Sequence, residues 1–138
     1  MLKWTGAAEL CLDGDGRVLM ILQGAPEDDK KWSVPTAVTE DDDALEQAVK
    51  QEVKEVTGCE AQVTELVETK ELAYPQAGIQ LTVYYFKTEL TDGMPKAPEG
   101  DELIAEVAWK TAEEIESLEL MYPDERDVLI RYASTHFN

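Results

Sequence analysis

Glu52 and Glu55 lie three residues apart in a stretch, Ala44 to Thr57, whose apolar residues repeat with helical spacing. At about 100° per residue with Leu45 as origin, Val49, Val53 and Val56 fall within about 80° of it and Ala48 near about −60°. Glu52 sits in the middle of that apolar arc and Glu55 on its edge, while Lys50 and Lys54 fall on the far side. A carboxylate centred on a buried stripe is unfavourable by an order of several kcal/mol unless something pairs with it. Gln51 carries no charge and both lysines point away, so Glu52 calls for a distant Lys or Arg, a raised pKa or a bound divalent ion. A carboxylate pair at i,i+3 suits Mg²⁺ or Mn²⁺, hard cations that prefer oxygen. The competing reading rotates the helix slightly, so that Glu52 merely borders the core.

That helix must be held by its neighbours. Asp41, Asp42 and Asp43 precede it, and any of them can accept hydrogen bonds from open amides at its start. Gly58 is placed as its stop. Ahead of it, residues 4–22 read as a hairpin or two consecutive strands around the tight turn Asp13-Gly-Asp-Gly16. The alternation of Asp13 and Asp15 also resembles part of a calcium loop, although the remaining ligands are missing. Trp32-Ser-Val-Pro35 is short, and its proline disfavours a central strand. After the helix, 63–71 and 79–90 read as strands, with Ala73 to Gly78 as the turn between them. Asp92-Gly93 and Pro95 to Gly100 are loop, and Ile104 to Trp109 is a last strand. Thr111 and Glu114 have capping-box spacing, and Pro123 opens a final helix reaching Tyr132. The pattern is a single mixed α/β domain over 1–138 with one prominent central helix.

Composition narrows the chemistry. Twelve Lys and Arg against 30 Asp and Glu give a net charge of −18 over 138 residues. Such a surface repels nucleic-acid polymers and anionic membranes. It still admits one small anion if a cation offsets the field. Hydrophobic residues at 43 % are enough for a proper core and exclude a disordered acidic tail. Cys11 and Cys59 are too few for a disulfide scaffold and lack metal-ligand spacing. A single histidine, His136, argues against histidine-based zinc sites and Ser-His-Asp chemistry. The opening Met1-Leu-Lys-Trp-Thr-Gly has no apolar signal core, and no apolar run is long enough for a membrane span, so a cytoplasmic setting is expected.

The region from Trp32 to Cys59 resembles the signature of the Nudix (MutT-like) hydrolase family, G-x5-E-x7-R-E-U-x-E-E-x-G-U after W-x-L-P-G, with U a bulky apolar residue. The register runs from Ala37 to Cys59 without a gap. Trp32, Val34 and Pro35 fill the approach, and Glu52, Val53, Glu55 and Gly58 hold their places. The departures are Thr36-Ala37 for Gly-Gly, Asp43 for the first glutamate, Gln51 for arginine, and Val56 for the second glutamate of the E-E pair. Glu102 to Trp109 is similar to the family's later E-(I/L)-x-x-E-V-x-W stretch, so the likeness spans nearly the whole chain.

The resemblance implies an α/β (α+β) fold, a mixed β-sheet sandwiched by helices, with the signature strand-loop-helix at residues 32–58. It also implies divalent-cation-dependent hydrolysis of a pyrophosphate bond in a small nucleoside-diphosphate-linked substrate. Mg²⁺ or Mn²⁺ would neutralise the polyanion and reverse the local sign of a −18 protein. The implied catalytic and metal-holding residues are Glu52, Glu55 and a later acid, Glu102 first and Glu106 second. Val56 offers no oxygen, Gln51 removes a cation, and Thr36-Ala37 add β-carbons where glycines permit positive φ. Together they point to weakened hydrolysis, or to an inactive Nudix-fold domain that binds a nucleotide or a partner protein. Trp32, Tyr74, Tyr84 and Tyr85 are candidates to stack a base, and Lys30, Lys31 and Lys70 to meet phosphate. Homodimerisation is compatible with the family, and no stripe in the sequence marks an interface.

Overall fold

The computed structural model describes residues 2–39, 44–74 and 78–135. Asp41, Asp42, Asp43 and His136 therefore lie outside the described residues. The chain forms β1 (Leu2–Cys11), β2 (Val18–Gln23), β3 (Lys31–Ser33), β4 (Thr36–Thr39), α1 (Leu45–Thr57), β5 (Glu60–Tyr74), β6 (Ile79–Asp92), β7 (Ile104–Lys110), α2 (Ala112–Ser117) and α3 (Arg126–Thr135).

The strands make two sheets, one ordered β4-β1-β6-β5 and the other β3-β2-β7. β1 runs parallel to β6, and the other ladders are antiparallel. Helices flank this mixed β-structure, as an α/β sandwich requires. β1 and β2 are joined at their turn by a single antiparallel bridge, Leu12 with Val18, and beyond it each is the inner strand of a different sheet. The turn between them is structural: the Asp13 carboxylate accepts hydrogen bonds from the Asp15 and Arg17 amides, both at 2.9 Å, and from the Arg17 guanidinium at 2.7 Å.

Alternation along the strands sorts two packing layers. Ala8 and Leu10 of β1 face one core with Leu81, Val83 and Tyr85 of β6, Met20 of β2, Ile115 of α2 and Leu129 of α3. Ala7 and Phe86 face the other way and pack against Val49 of α1. The C-terminal half of α1 joins a third cluster, where Val56 meets Ile21 of β2 and Ile104 just past the 93–103 loop.

Several elements match their local sequence signals. Gly58 ends α1 at φ 78°, the left-handed conformation in which its amide reaches the Lys54 carbonyl. Thr111 and Glu114 form the reciprocal capping box. Pro123 opens a short 3₁₀ turn, Pro123–Glu125, before α3. Thr36 and Ala37 differ from expectation. They form β4 and pair with Ala8 and Ala7, and no described residue other than glycine has positive φ. No helix among the described residues is long and apolar enough to cross a membrane.

Candidate functional site

α1 buries Val49, Val53, Val56 and Thr57, the face its apolar spacing indicates, with Thr57 added. The Thr57 hydroxyl is satisfied by donating to the Val53 carbonyl at 2.7 Å. Glu52 is half-buried, neither in the core nor extended into bulk water. Among the described residues no Lys or Arg pairs with it. Burial, reinforced by the charge of Glu55, pushes its carboxyl up to about 7.

Glu55 is exposed, and the Gln51 side-chain amide donates to its Oε1 at 3.0 Å. Where the signature has arginine, this neutral amide orients the second glutamate without compensating the first. Glu102 is exposed in the loop before β7, and Glu106 is exposed on β7. Among the described residues, no three His, Cys, Asp or Glu converge on a common point that could hold a metal ion. Val56, only 7 % exposed, fills its signature position with apolar contact instead of an oxygen.

An open apolar pocket of about 260 Å³ is walled by Trp4, Val38, Ile79, Leu81 and Tyr122. Burial, then the charges of Glu125 and Glu52, hold the Tyr122 hydroxyl above its ordinary pKa. The aromatics of this pocket are Trp4 and Tyr122. Trp32 instead lies under the Lys110 ammonium at 4.4 Å, and its backbone is tied to Glu119 and Met121. Tyr85 is buried and donates to Glu125, while Tyr84 packs in the α1 layer.

Each lysine considered for phosphate is engaged. Lys70 pairs with Asp127 at 2.6 Å, Lys31 with Glu119 at 3.8 Å, and Lys30 donates to two backbone carbonyls. Sequence reasoning missed Trp4, which alternates along β1 with Gly6, Ala8 and Leu10. That alternation cannot distinguish a closed core position from the rim of a pocket. Cys11 and Cys59 are free and buried, and burial pushes the Cys11 thiol up to about 12, so neither is a ready nucleophile.

The NUDIX domain family model matches residues 3–132. The chain belongs to the Nudix family. Among solved structures, a NUDIX hydrolase from Nitrosomonas europaea superposes with a TM-score of 0.77 at 18 % identity, over 96 % of this chain and 86 % of that one. A MutT protein from Methanosarcina mazei Go1 gives 0.77 at 17 % identity, over 99 % and 97 %. The E. coli ORF135 protein gives 0.74 at 22 % identity, over 98 % and 91 %. At these identities the likeness is one of fold. No curated protein matches the sequence.

The Nudix fold brings a specific question to α1, whether its donors suit a hard divalent cation. Their chemistry does: two carboxylates one turn apart, one of them half-buried and unpaired by Lys or Arg among the described residues, make a seat that favours positive charge. Their number is short by one, because Val56 supplies no oxygen.

Proposed function

We propose that this Nudix chain, read as one domain over 1–138 in a cytoplasmic setting, is a weak pyrophosphohydrolase. It would act on a small nucleotide-like substrate and depend on Mg²⁺ or Mn²⁺. The observation that carries this reading is Glu52: a half-buried carboxylate at the signature position, unpaired by Lys or Arg among the described residues. Glu52 and Glu55 would hold the ion, with Glu102 joining from its loop. Bound there, a divalent cation neutralises the diphosphate and lowers the pKa of an attacking water. The protein's own contribution is to hold Glu52 desolvated, to orient Glu55 through Gln51, and to offer Trp4 and Tyr122 as apolar walls for the non-phosphate part of the substrate.

One observation favours a second reading, a Nudix domain that binds a nucleotide or a partner protein without turnover. Val56 is not a bare loss; it is integrated into contact with Ile21 and Ile104. The two readings separate in one assay. Release of phosphate or nucleoside monophosphate from a panel of nucleoside-diphosphate derivatives is measured with Mg²⁺, with Mn²⁺ and with chelator. Metal-dependent release lost in the E52Q/E55Q variant supports the hydrolase. Release no greater than that of the variant removes it and leaves the binding domain.

A further inference from the structure

We propose that Tyr122 is a fixed partition that sets the size of the group this protein accepts: it closes one side of the apolar pocket at Trp4 and so admits only a compact non-phosphate group. This deepens the reading above and rests on its seating of that part of the substrate against Trp4 and Tyr122. Tyr122 has a cavity on each side. One is the pocket of about 260 Å³ that it shares with Trp4, Val38, Ile79 and Leu81. The other, of about 220 Å³, it shares with Leu72, Ala73, Pro123 and Asp124. Their floor is continuous: Leu81 of β6 and Leu72 of β5 are cross-strand partners buried in one cluster, and Tyr122 packs against that cluster. Sites that enclose drug-sized ligands run to about 300–1,000 Å³. Each cavity alone falls short of that range, and the two joined reach it.

The partition is held from both sides, which makes it a wall and not a lid. Before it, the Trp32 amide donates to the Glu119 carbonyl at 2.9 Å and the Met121 amide to the Trp32 carbonyl at 2.8 Å, so that residues 119–121 dock on β3. After it, Pro123 follows directly. A proline ring disfavours helical backbone in the residue before it, and Tyr122 stands at φ −122° and ψ 87°. The Glu125 amide donates to the Tyr122 carbonyl at 2.9 Å. The Glu125 carboxylate, itself buried, accepts from the buried Tyr85 hydroxyl. Tyr85 alternates along β6 with Ile79 and Leu81, so the strand that floors the pocket also anchors its partition. The near walls are aliphatic and aromatic, with the Trp4 indole N–H and the Tyr122 hydroxyl as their side-chain polar groups. Selection here works by size and shape more than by a hydrogen-bond pattern. Asp124 at the far cavity disfavours an anionic extension reaching past Tyr122.

The test is calorimetric binding, with Mg²⁺, of the α,β-methylene diphosphates of adenosine and of N6-benzyladenosine, which differ by one uncharged ring. Both carry P–C–P in place of a P–O–P link, so binding is read apart from turnover. Wild type should bind the benzyl compound at least about tenfold more weakly than its parent. Y122A should bring the two within about threefold of each other, and Y122F should behave as wild type. A general loosening of the fold lowers both affinities and leaves their ratio alone. In methyl NMR, the Leu72 signals should shift with the benzyl compound in Y122A and not in wild type. If Y122A does not fold, Y122V, whose branched side chain suits extended backbone, replaces it. An unchanged ratio in Y122A, or a Leu72 shift in wild type, overturns the partition and leaves the hydrolase reading to the release assay. Binding of neither compound to wild type overturns the partition whatever that assay shows. A shifted ratio without metal-dependent release supports the partition in a binding domain and removes the hydrolase.

Discussion

Val56 stands where the family signature has a glutamate, and it fills that position with apolar contact. Its methyls close a small cluster with Ile21 and Ile104, at 7 % exposure. Replacing it by glutamate restores an oxygen to the signature position and places a carboxylate among aliphatic groups. V56E should destabilise the metal-free protein by about 3 kcal/mol, through lost packing and the desolvation of an unpaired charge. Millimolar Mn²⁺ should return part of that loss, since the new carboxylate then has a cation beside it. Thermal melts of V56E and wild type, with and without Mn²⁺, check both halves; a V56E loss that Mn²⁺ leaves untouched would mean that the position no longer faces an ion site. The surroundings of Glu52 were legible in part: helical spacing puts it in the middle of the apolar arc, and the structure leaves it half-buried. The Gln51 bond to Glu55 was not, because a side-chain rotamer is not written in the spacing.

At the scale of the element, the site is a helix laid on a strand that hides a charge-bearing group. Glu9 of β1 is fully buried on the same strand face as Ala7, which packs under α1. Thr88 of β6 donates to its Oε2, and its Oε1 has no partner among the described residues. Burial pushes this carboxyl up to about 7, against the opposing hydrogen bond from Thr88. The folded state thus holds the proton to higher pH than the unfolded chain, whose glutamate ionises near 4.5. Stability linked to Glu9 is therefore complete below about pH 4.5 and is lost as pH rises through about 7. E9Q carries no such proton. Its stability relative to wild type should rise by about 3 kcal/mol between pH 4.5 and 8, measured by urea unfolding at several pH values. Parallel pH profiles for the two proteins would contradict this.

Elements with strong local punctuation were legible in the sequence: α1 with its Gly58 stop, the Thr111 capping box, and the two long strands after α1. β4 was not. Four residues, Thr-Ala-Val-Thr, carry too little pattern, and their pairing with β1 reaches back about 30 residues along the chain. The assignment of β1 and β2 to different sheets was hidden for a related reason: a tight turn between apolar runs signals a hairpin, and only long-range pairing with β6 and β7 separates them.

Over the whole molecule, a net charge of −18 opposes compaction. The described ion pairs engage Arg17, Lys31, Lys54, Lys70 and Arg131, mostly at the surface, where each contributes little. Net repulsion therefore outweighs them, and screening should help the fold. Raising NaCl from about 0.05 to 0.5 M, which shortens the screening length to a few ångströms, should raise the melting temperature. A fall would show that the pairs dominate. The same charge makes a divalent cation the natural companion of any anionic substrate at α1.

The most direct measurement is of the Glu52 carboxyl itself, by ¹³C NMR of glutamate side chains through a pH titration without and with Mg²⁺, assigned with E52Q. If Glu52 holds a divalent ion as proposed, its desolvated carboxylate should titrate near 7 in the metal-free protein and fall below the ordinary glutamate value when Mg²⁺ is present. A midpoint that is ordinary without metal, or unmoved by Mg²⁺, would contradict the account.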